Sequence, residues 1–204
     1  MQEDTKTTEQ QILEAAEREF LTKGFAGART TSIAEAAGVT HAMFHYYFRT
    51  KEKLFEKIVA DKVNALRKIF FGAFIEGTTS LTERIRNGVA RHFDFVAANP
   101  QLPMFMFNEI YRNPERSASF TDVVKYVAGE VIGSLQRQID EAAETGECRS
   151  MNAAQFLLDI VSLNLFTFMA EPMLNATGLF GDKASFLEKR KQENIETIML
   201  RMKP

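Results

Sequence analysis

A chain of 204 residues, 45% apolar and 25% charged, has the length to bury a substantial core and the composition of an ordinary soluble globular protein. Its net charge of −2 excludes a global attraction to nucleic acid, so any such surface has to be local. A single cysteine, Cys148, excludes an intramolecular disulfide and fits a reducing cytosol. The start, Met1-Gln2-Glu3-Asp4, is polar and acidic, unlike a signal peptide. The longest apolar stretch, 156–170, is broken by Asp159 and Asn164 and is too short to span a bilayer, so a cytoplasmic protein without membrane contact is expected. Eighteen Phe, nine Met and no Trp carry the apolar load, and the five Pro fall between or near the ends of the apolar-periodic segments. That pattern predicts an all-α chain.

In chain order, Thr8-Glu9-Gln10-Gln11 reads as a capping box opening a first helix. Ile12, Ala16 and Phe20 form its buried stripe, Gly24 ends it, and Phe25 follows as an apolar plug. Arg29, Thr30 and Thr31 open a second helix that runs to about Ala37. Gly38 supplies the left-handed turn, Val39 drops into the angle, and Thr40 caps a third helix from about His41 to Phe48. Phe44 and Phe48, four residues apart, hold that helix on the core. His41, Ala42, Met43, His45 and Tyr46 are left facing outward. Two short helices joined through a tight Gly turn make a helix-turn-helix. From Lys23 to Lys57 there are six basic residues (Lys23, Arg29, Arg49, Lys51, Lys53 and Lys57) against the three acidic Glu35, Glu52 and Glu56. The first nineteen residues lean acidic, so positive charge collects around the turn.

Thr50 precedes a fourth helix with Leu54, Ile58, Ala65, Ile69 and Ala73 on one face, ending near Ile75 with a break over 76–79. Ser80-Leu81-Thr82-Glu83 is a second capping box, opening a fifth helix whose inner face reads Ile85, Val89, His92, Phe93 and Val96. Asn99-Pro100 separates it from a sixth helix, LPMFMFNEIYR, which stops before Pro114. A seventh runs from near Ser119 to Gly146 through Val124, Val127, Val131, Leu135 and Ile139. Asn152 caps an eighth, with Met151 and Phe156 placed as a hydrophobic staple. Pro172 ends or kinks it, 175–182 reads as a loop, and a ninth helix runs from about Lys183 to Met202. About nine helices are expected, with no internal repeat.

Gly24-Phe25, Ile33-Ala34, Ala37-Gly38-Val39, Phe44-His45-Tyr46-Tyr47-Phe48 and Lys51-Glu52-Lys53-Leu54-Phe55 stand in an order and spacing that resembles the N-terminal signature of the tetracycline-repressor (TetR) family. The resemblance covers roughly residues 8–56, about a quarter of the chain; the rest is similar in length and helical character. It implies a helix-turn-helix DNA-binding domain over 1–50 joined to a larger helical effector-binding and dimerisation domain over 51–204, with no enzymatic role, cofactor or metal. It also implies that Thr40, His41, Ala42 and Met43 touch bases or phosphates. His45 and Tyr46 match phosphate or base contacts, Lys51 matches a phosphate-contacting lysine at a helix N-terminus, and Arg29 and Thr30 lie where the family also grips phosphate. Phe44, Phe48 and Tyr47 are read as core. The chain departs from the family in having His45 where Tyr is usual, Ala42 where Gly is usual, and Ala28 in place of a capping Thr, which leaves Thr30 or the backbone to cap the second helix.

The resemblance further implies a ligand enclosed by helices 4 to 7. The aromatic and Met residues Phe70, Phe74, Phe93, Met106, Phe107, Tyr111, Phe166 and Met169 suit a bulky apolar molecule. His92 and Glu109 interrupt the apolar pattern as candidate polar handles. Ordinary core packing is the competing reading, with His92 bonded to a carbonyl and Glu109 paired to Arg112. The last two long helices would pair two subunits through Phe156, Ile160, Asn164 and Thr167 on one and Ile195, Ile198, Met199 and Met202 on the other. The expected function is a homodimeric repressor of a palindromic double-stranded operator, released by a hydrophobic small molecule. Two alternatives stay open: a DNA-binding dimer without an effector, and a small enzyme using His92 and Glu109.

Overall fold

The computed structural model describes residues 6–74, 79–178 and 181–204, leaving aside the side chains of 73, 74, 114, 116–120 and 123. Ten helices and no strand lie among the described residues: α1 (Thr8–Gly27), α2 (Thr30–Ala36), α3 (His41–Tyr47), α4 (Lys51–Phe74), α5 (Leu81–Ala98), α6 (Leu102–Arg112), α7 (Pro114–Glu144), α8 (Ala153–Met169), α9 (Glu171–Ala176) and α10 (Lys183–Met202). The chain is all-α, as the periodicity predicts.

Local chemistry sets most of the helix starts. Ser80 Oγ accepts from the Glu83 N–H at 3.2 Å, Asn152 Oδ1 from Gln155 at 3.0 Å, and Asp182 Oδ2 from Ser185 at 2.9 Å. Each satisfies an amide that the helix leaves unpaired. The first capping box closes one residue earlier than predicted. Thr7, in extended conformation, accepts from Gln10 N–H and donates its own N–H to the Gln10 side chain, so Thr8 becomes the first helical residue. Gly24 interrupts α1 at φ 67°, ψ 171°, a backbone conformation that only a residue without Cβ adopts freely.

Two expectations are corrected near prolines. α7 begins at Pro114 and not near Ser119, because a proline at the first helical position gives up an N–H that has no intrahelical acceptor anyway. Pro172 sits in the first turn of a further short helix, α9, for the same reason, so Asn175 and Ala176 are helical where a loop was predicted. This raises the helix number from nine to ten. The predicted end of the fourth helix near Ile75 and residues 76–78 of the predicted break at 76–79 lie outside the described residues.

The helices form two compact units, one built from the chain up to Asn64 with Phe105–Phe120, the other from Ala65–Met104 with Thr121–Pro204. The sequence reading divides the chain at residue 50; α4 contributes to both units. The first unit closes around Ile12, Phe20, Ile33, Phe44, Leu54 and Phe55, with the Phe20, Phe25 and Phe55 rings 5.0–5.9 Å apart. In the second unit α5, α8 and α10 pack together with α7 around Ile85, Val89, Leu135, Ile139, Phe156, Ile160 and Ile198. Full burial of each such side chain contributes roughly 1.5–3 kcal/mol.

Candidate functional site

The α2–turn–α3 segment is built from short-range causes. Gly38, at φ 69°, reverses the chain after α2, and Val39 N–H returns to Ala34 O at 3.0 Å. Thr40 is extended, and its Oγ1 accepts from Met43 N–H at 3.2 Å, opening α3. Ile33, Ala34, Phe44 and Phe48 are buried in the core of the first unit. That anchorage turns His41, Ala42, Met43, His45 and Tyr46 outward, as predicted, and all five are exposed, Tyr46 at 82%. Tyr47 is corrected. It is exposed and packs edge-on against Tyr46 at 5.3 Å. α3 ends at Tyr47, and Phe48, turning into extended backbone, takes the inward position.

Side chains from neighbouring helices converge on this face. Thr30 Oγ1 lies 3.1 Å from His41 Nε2, joining the start of α2 to the recognition-helix candidate. The His41 and His45 rings meet edge-on at 4.4 Å. His45 Nδ1 lies 3.2 Å from Arg49 O. A carbonyl only accepts, so Nδ1 carries the proton and Nε2 donates to an anion only when the ring is charged. Lys51 Nζ donates to Phe25 O at 2.9 Å and Ala28 O at 3.0 Å and sits 4.5 Å from the Phe25 ring centroid. Two of its three N–H bonds thus hold the α1–α2 corner.

Arg29 precedes α2 with no side-chain cap. Its N–H reaches Glu19 Oε1 at 3.3 Å, so a carboxylate from α1 holds the residue that precedes α2, while no side chain takes the place of the capping Thr that Ala28 displaces. Lys23, bonded to the same oxygen at 2.9 Å, holds the Glu19 carboxyl below its ordinary range, helped by the Arg29 amide. Glu19 escapes sequence reasoning because its acceptor role depends on a residue ten positions away.

Residues 12–58 match the sequence profile of the bacterial regulatory proteins of the tetR family. Over these residues the chain is similar to the tetR family. It is 30% identical over 107 residues to the HTH-type transcriptional regulator YdgC of Bacillus subtilis, covering 51% of this chain and 53% of that protein. It is 28% identical over 109 residues to the HTH-type transcriptional regulator TtgR of Pseudomonas putida, covering 44% and 52%. The chain thus spans about half the length of these curated relatives. Among solved structures, a tetR-family regulatory protein from Rhodococcus RHA1 superposes with a TM-score of 0.72 at 18% identity, over 98% of both chains. The fatty acid degradation regulator FadR from Bacillus halodurans gives 0.65 at 19%, over 95% of this chain and 97% of its own. These two likenesses show that the tetR fold extends well beyond the helix-turn-helix. These relatives and the tetR-family neighbour are regulators, which stands against the enzymatic reading of His92 and Glu109. No helix among the described residues is long and apolar enough to cross a membrane.

The ligand-binding candidates are divided between the two units. Met106, Phe107, Glu109 and Tyr111 belong to the first unit; Phe70, His92, Phe93, Phe166 and Met169 belong to the second. The side chain of Phe74 lies outside the described residues. His92 and Phe70 are brought together, ring centroids 5.2 Å apart, and buried Phe93 packs on Phe168 at 5.4 Å. Met106 and Met169 are half-buried. Glu109 is buried and accepts from Asn113 Nδ2 at 3.2 Å, where Arg112 was the expected partner. Phe107, Tyr111 and Phe166 are exposed, which corrects their assignment to an enclosed wall. Phe166 lies two residues beyond buried Asn164 and so projects from the other side of α8.

The subunit-pairing candidates are also corrected. Phe156, Ile160, Asn164 and Thr167 on α8, and Ile195, Ile198 and Met202 on α10, are buried within the chain's own core, with Met199 half-buried. α8 is apolar nearly all round, so its opposite stripe, Leu158, Ser162 and Phe166, is left exposed, with Leu200 exposed on α10. Between α5, α8 and α10 runs a buried polar ladder. Arg190 Nε donates to Asn194 Oδ1 at 2.7 Å, and Asn194 Nδ2 to Leu163 O at 3.1 Å and Asn164 Oδ1 at 2.9 Å. Asn164 Nδ2 reaches Val89 O at 3.0 Å and His92 Nδ1 at 3.1 Å. Sequence reasoning missed Asn194; an Asn directly before the apolar positions Ile195 and Ile198 is the signal that could have found it.

Proposed function

We propose that this chain is a homodimeric repressor that binds a palindromic double-stranded operator through α3 and is released by an apolar small molecule. The observation that carries the reading is the outward face of α3, a row of exposed residues held by Phe44 and Phe48 behind it and by the Thr40 cap at its start. A short helix with that anchorage and a basic surround fits a major groove. In this reading Thr40, His41, Ala42 and Met43 meet base edges and nearby phosphates. Arg29, Thr30, His45, Tyr46 and Lys51 set register on the backbone. Burial of the originally expected pairing residues moves the proposed dimer face to Leu158, Ser162, Phe166 and Leu200. An isologous pairing there would present two α3 helices to the two half-sites.

α4 carries Lys51 in one unit and Phe70 in the other. An effector seated beside Phe70 and His92 would act on the DNA contacts through this shared helix. Effector and operator would then weaken each other by the same factor.

Selection from a random duplex pool at moderate salt tests the reading. An enriched palindrome bound by two copies is the expected result. Weak, salt-sensitive binding without sequence preference, from protein that mass spectrometry shows to be ligand-free, would overturn it. Phe166→Asp puts a charge on the proposed pairing face without touching the core. It is expected to convert the dimer to monomer in sedimentation and to lower operator affinity at least about a hundredfold. A Phe166→Asp protein that remains dimeric would move the interface elsewhere.

A further inference from the structure

We infer that His92 is the hydrogen-bond donor of an effector subsite in the second unit, and that this subsite takes a neutral, largely apolar molecule through a carbonyl, ester or ether oxygen. The inference deepens the effector reading above and rests on it.

The polar ladder dictates which ring nitrogen carries the proton. Arg190 only donates, and the Leu163 and Val89 carbonyls only accept. Asn194 therefore turns its oxygen to Arg190 Nε at 2.7 Å and its amide nitrogen to Leu163 O and Asn164 Oδ1. Asn164 in turn points its nitrogen at Val89 O and His92 Nδ1. Every bond in the ladder is then directional, and His92 Nδ1 is an acceptor. A proton on Nδ1 would set two donors face to face 3.1 Å apart. The ring is accordingly neutral with its hydrogen on Nε2. Burial acts in the same sense, pushing the pKa down to about 4.

That Nε2–H has no partner among the described residues, although the residue is only 3% exposed. A donor left without a protein partner in so enclosed a position favours whatever brings an acceptor. Nε2 is also not sealed: among the described residues Arg84 Nε is the enclosed side-chain nitrogen or oxygen that lacks a partner. Beside the ring lies Phe70, an apolar wall at 5.2 Å. A cationic group would meet a second donor here. A carboxylate would gain no imidazolium here, because His92 cannot take a proton on Nδ1 without breaking the ladder, and Arg190 sits at the ladder's far end. A neutral oxygen on an aromatic or aliphatic body satisfies both the donor and the wall.

Three probes of one skeleton test this: 2-acetylnaphthalene, 2-ethylnaphthalene and 2-naphthoate. The full chain has three histidines, so a His41→Gln/His45→Gln variant leaves His92 as the single imidazole in a nitrogen-15 spectrum. At pH 7 the ring is expected in the Nε2–H form. 2-Acetylnaphthalene should shift that proton and bind about tenfold more tightly than 2-ethylnaphthalene, with 2-naphthoate weakest. His92→Phe should erase the acetyl preference; if that variant does not fold, the wild-type spectra and affinity ratios decide. An Nδ1–H tautomer or an imidazolium at pH 7 overturns the inference. So does equal binding of the acetyl and ethyl probes (a water-filled niche only), or no response of His92 to any probe at millimolar concentration. DNA release is read separately. A probe that engages His92 and leaves a selected operator bound removes the effector role and leaves the subsite standing.

Discussion

Tyr46→Ala is expected to abolish operator binding while leaving thermal stability unchanged, whereas Lys51→Met weakens both. Tyr46 is 82% exposed, and its described contact is the edge of Tyr47, itself exposed. Removing such a ring alters stability by no more than about 0.5 kcal/mol. If it meets the operator, the lost contact counts twice in a dimer, together roughly 2–6 kcal/mol of binding. Lys51 has a double role. Its amino group holds the carbonyls of Phe25 and Ala28 and lies over the Phe25 ring, so Met leaves two part-buried acceptors without their cation. That loss destabilises the first unit by about 2 kcal/mol. Titration calorimetry on a selected operator, beside thermal melts of the same samples, separates the two roles. Wild-type operator affinity in Tyr46→Ala would remove that residue from the interface, and an unchanged melting temperature in Lys51→Met would remove the corner role of the lysine.

Acid is expected to destabilise the second unit through His92 well before its carboxylates are protonated. Burial lowers the His92 pKa from 6.5 to about 4. Between those values the unfolded chain binds a proton that the folded chain refuses, so stability falls as pH falls through this window and is unaffected above it. The loss is roughly 2 kcal/mol by pH 5 and 3 kcal/mol by pH 4. Because Nδ1 is already occupied by the Asn164 amide, protonation also breaks the ladder between α5, α8 and α10. Urea unfolding at pH 7, 6 and 5 measures the slope, and His92→Gln, which cannot titrate, should flatten it. A His92→Gln protein with the wild-type slope would show that the acid sensitivity originates elsewhere.

The helix-turn-helix was legible in the residues because its causes are local. Gly38 is needed for the left-handed turn, Thr40 for an amide three positions on, and Phe44 and Phe48 for one anchoring face; all four act within a dozen residues. The caps at Ser80 and Asn152 are legible for the same reason. Where two local solutions compete, as at Thr7 and Thr8, the pattern names the helix but not its first residue.

The rest depends on what packs against what. Lys51 reads as a surface cation until the carbonyls of Phe25 and Ala28, more than twenty residues earlier, fold beneath it. Tyr47 reads as core from the family resemblance, and it is exposed because α3 ends there. Periodicity can tell which side of an amphipathic helix turns inward, but α8 is apolar on nearly every side. Asn164 settles its orientation by finding Val89 O, His92 and Asn194 on two other helices. A buried amide needs partners on other segments, and only the folded chain brings those segments within hydrogen-bonding distance. The same contacts send Phe156 and Ile160 inward and leave Leu158 and Phe166 outside.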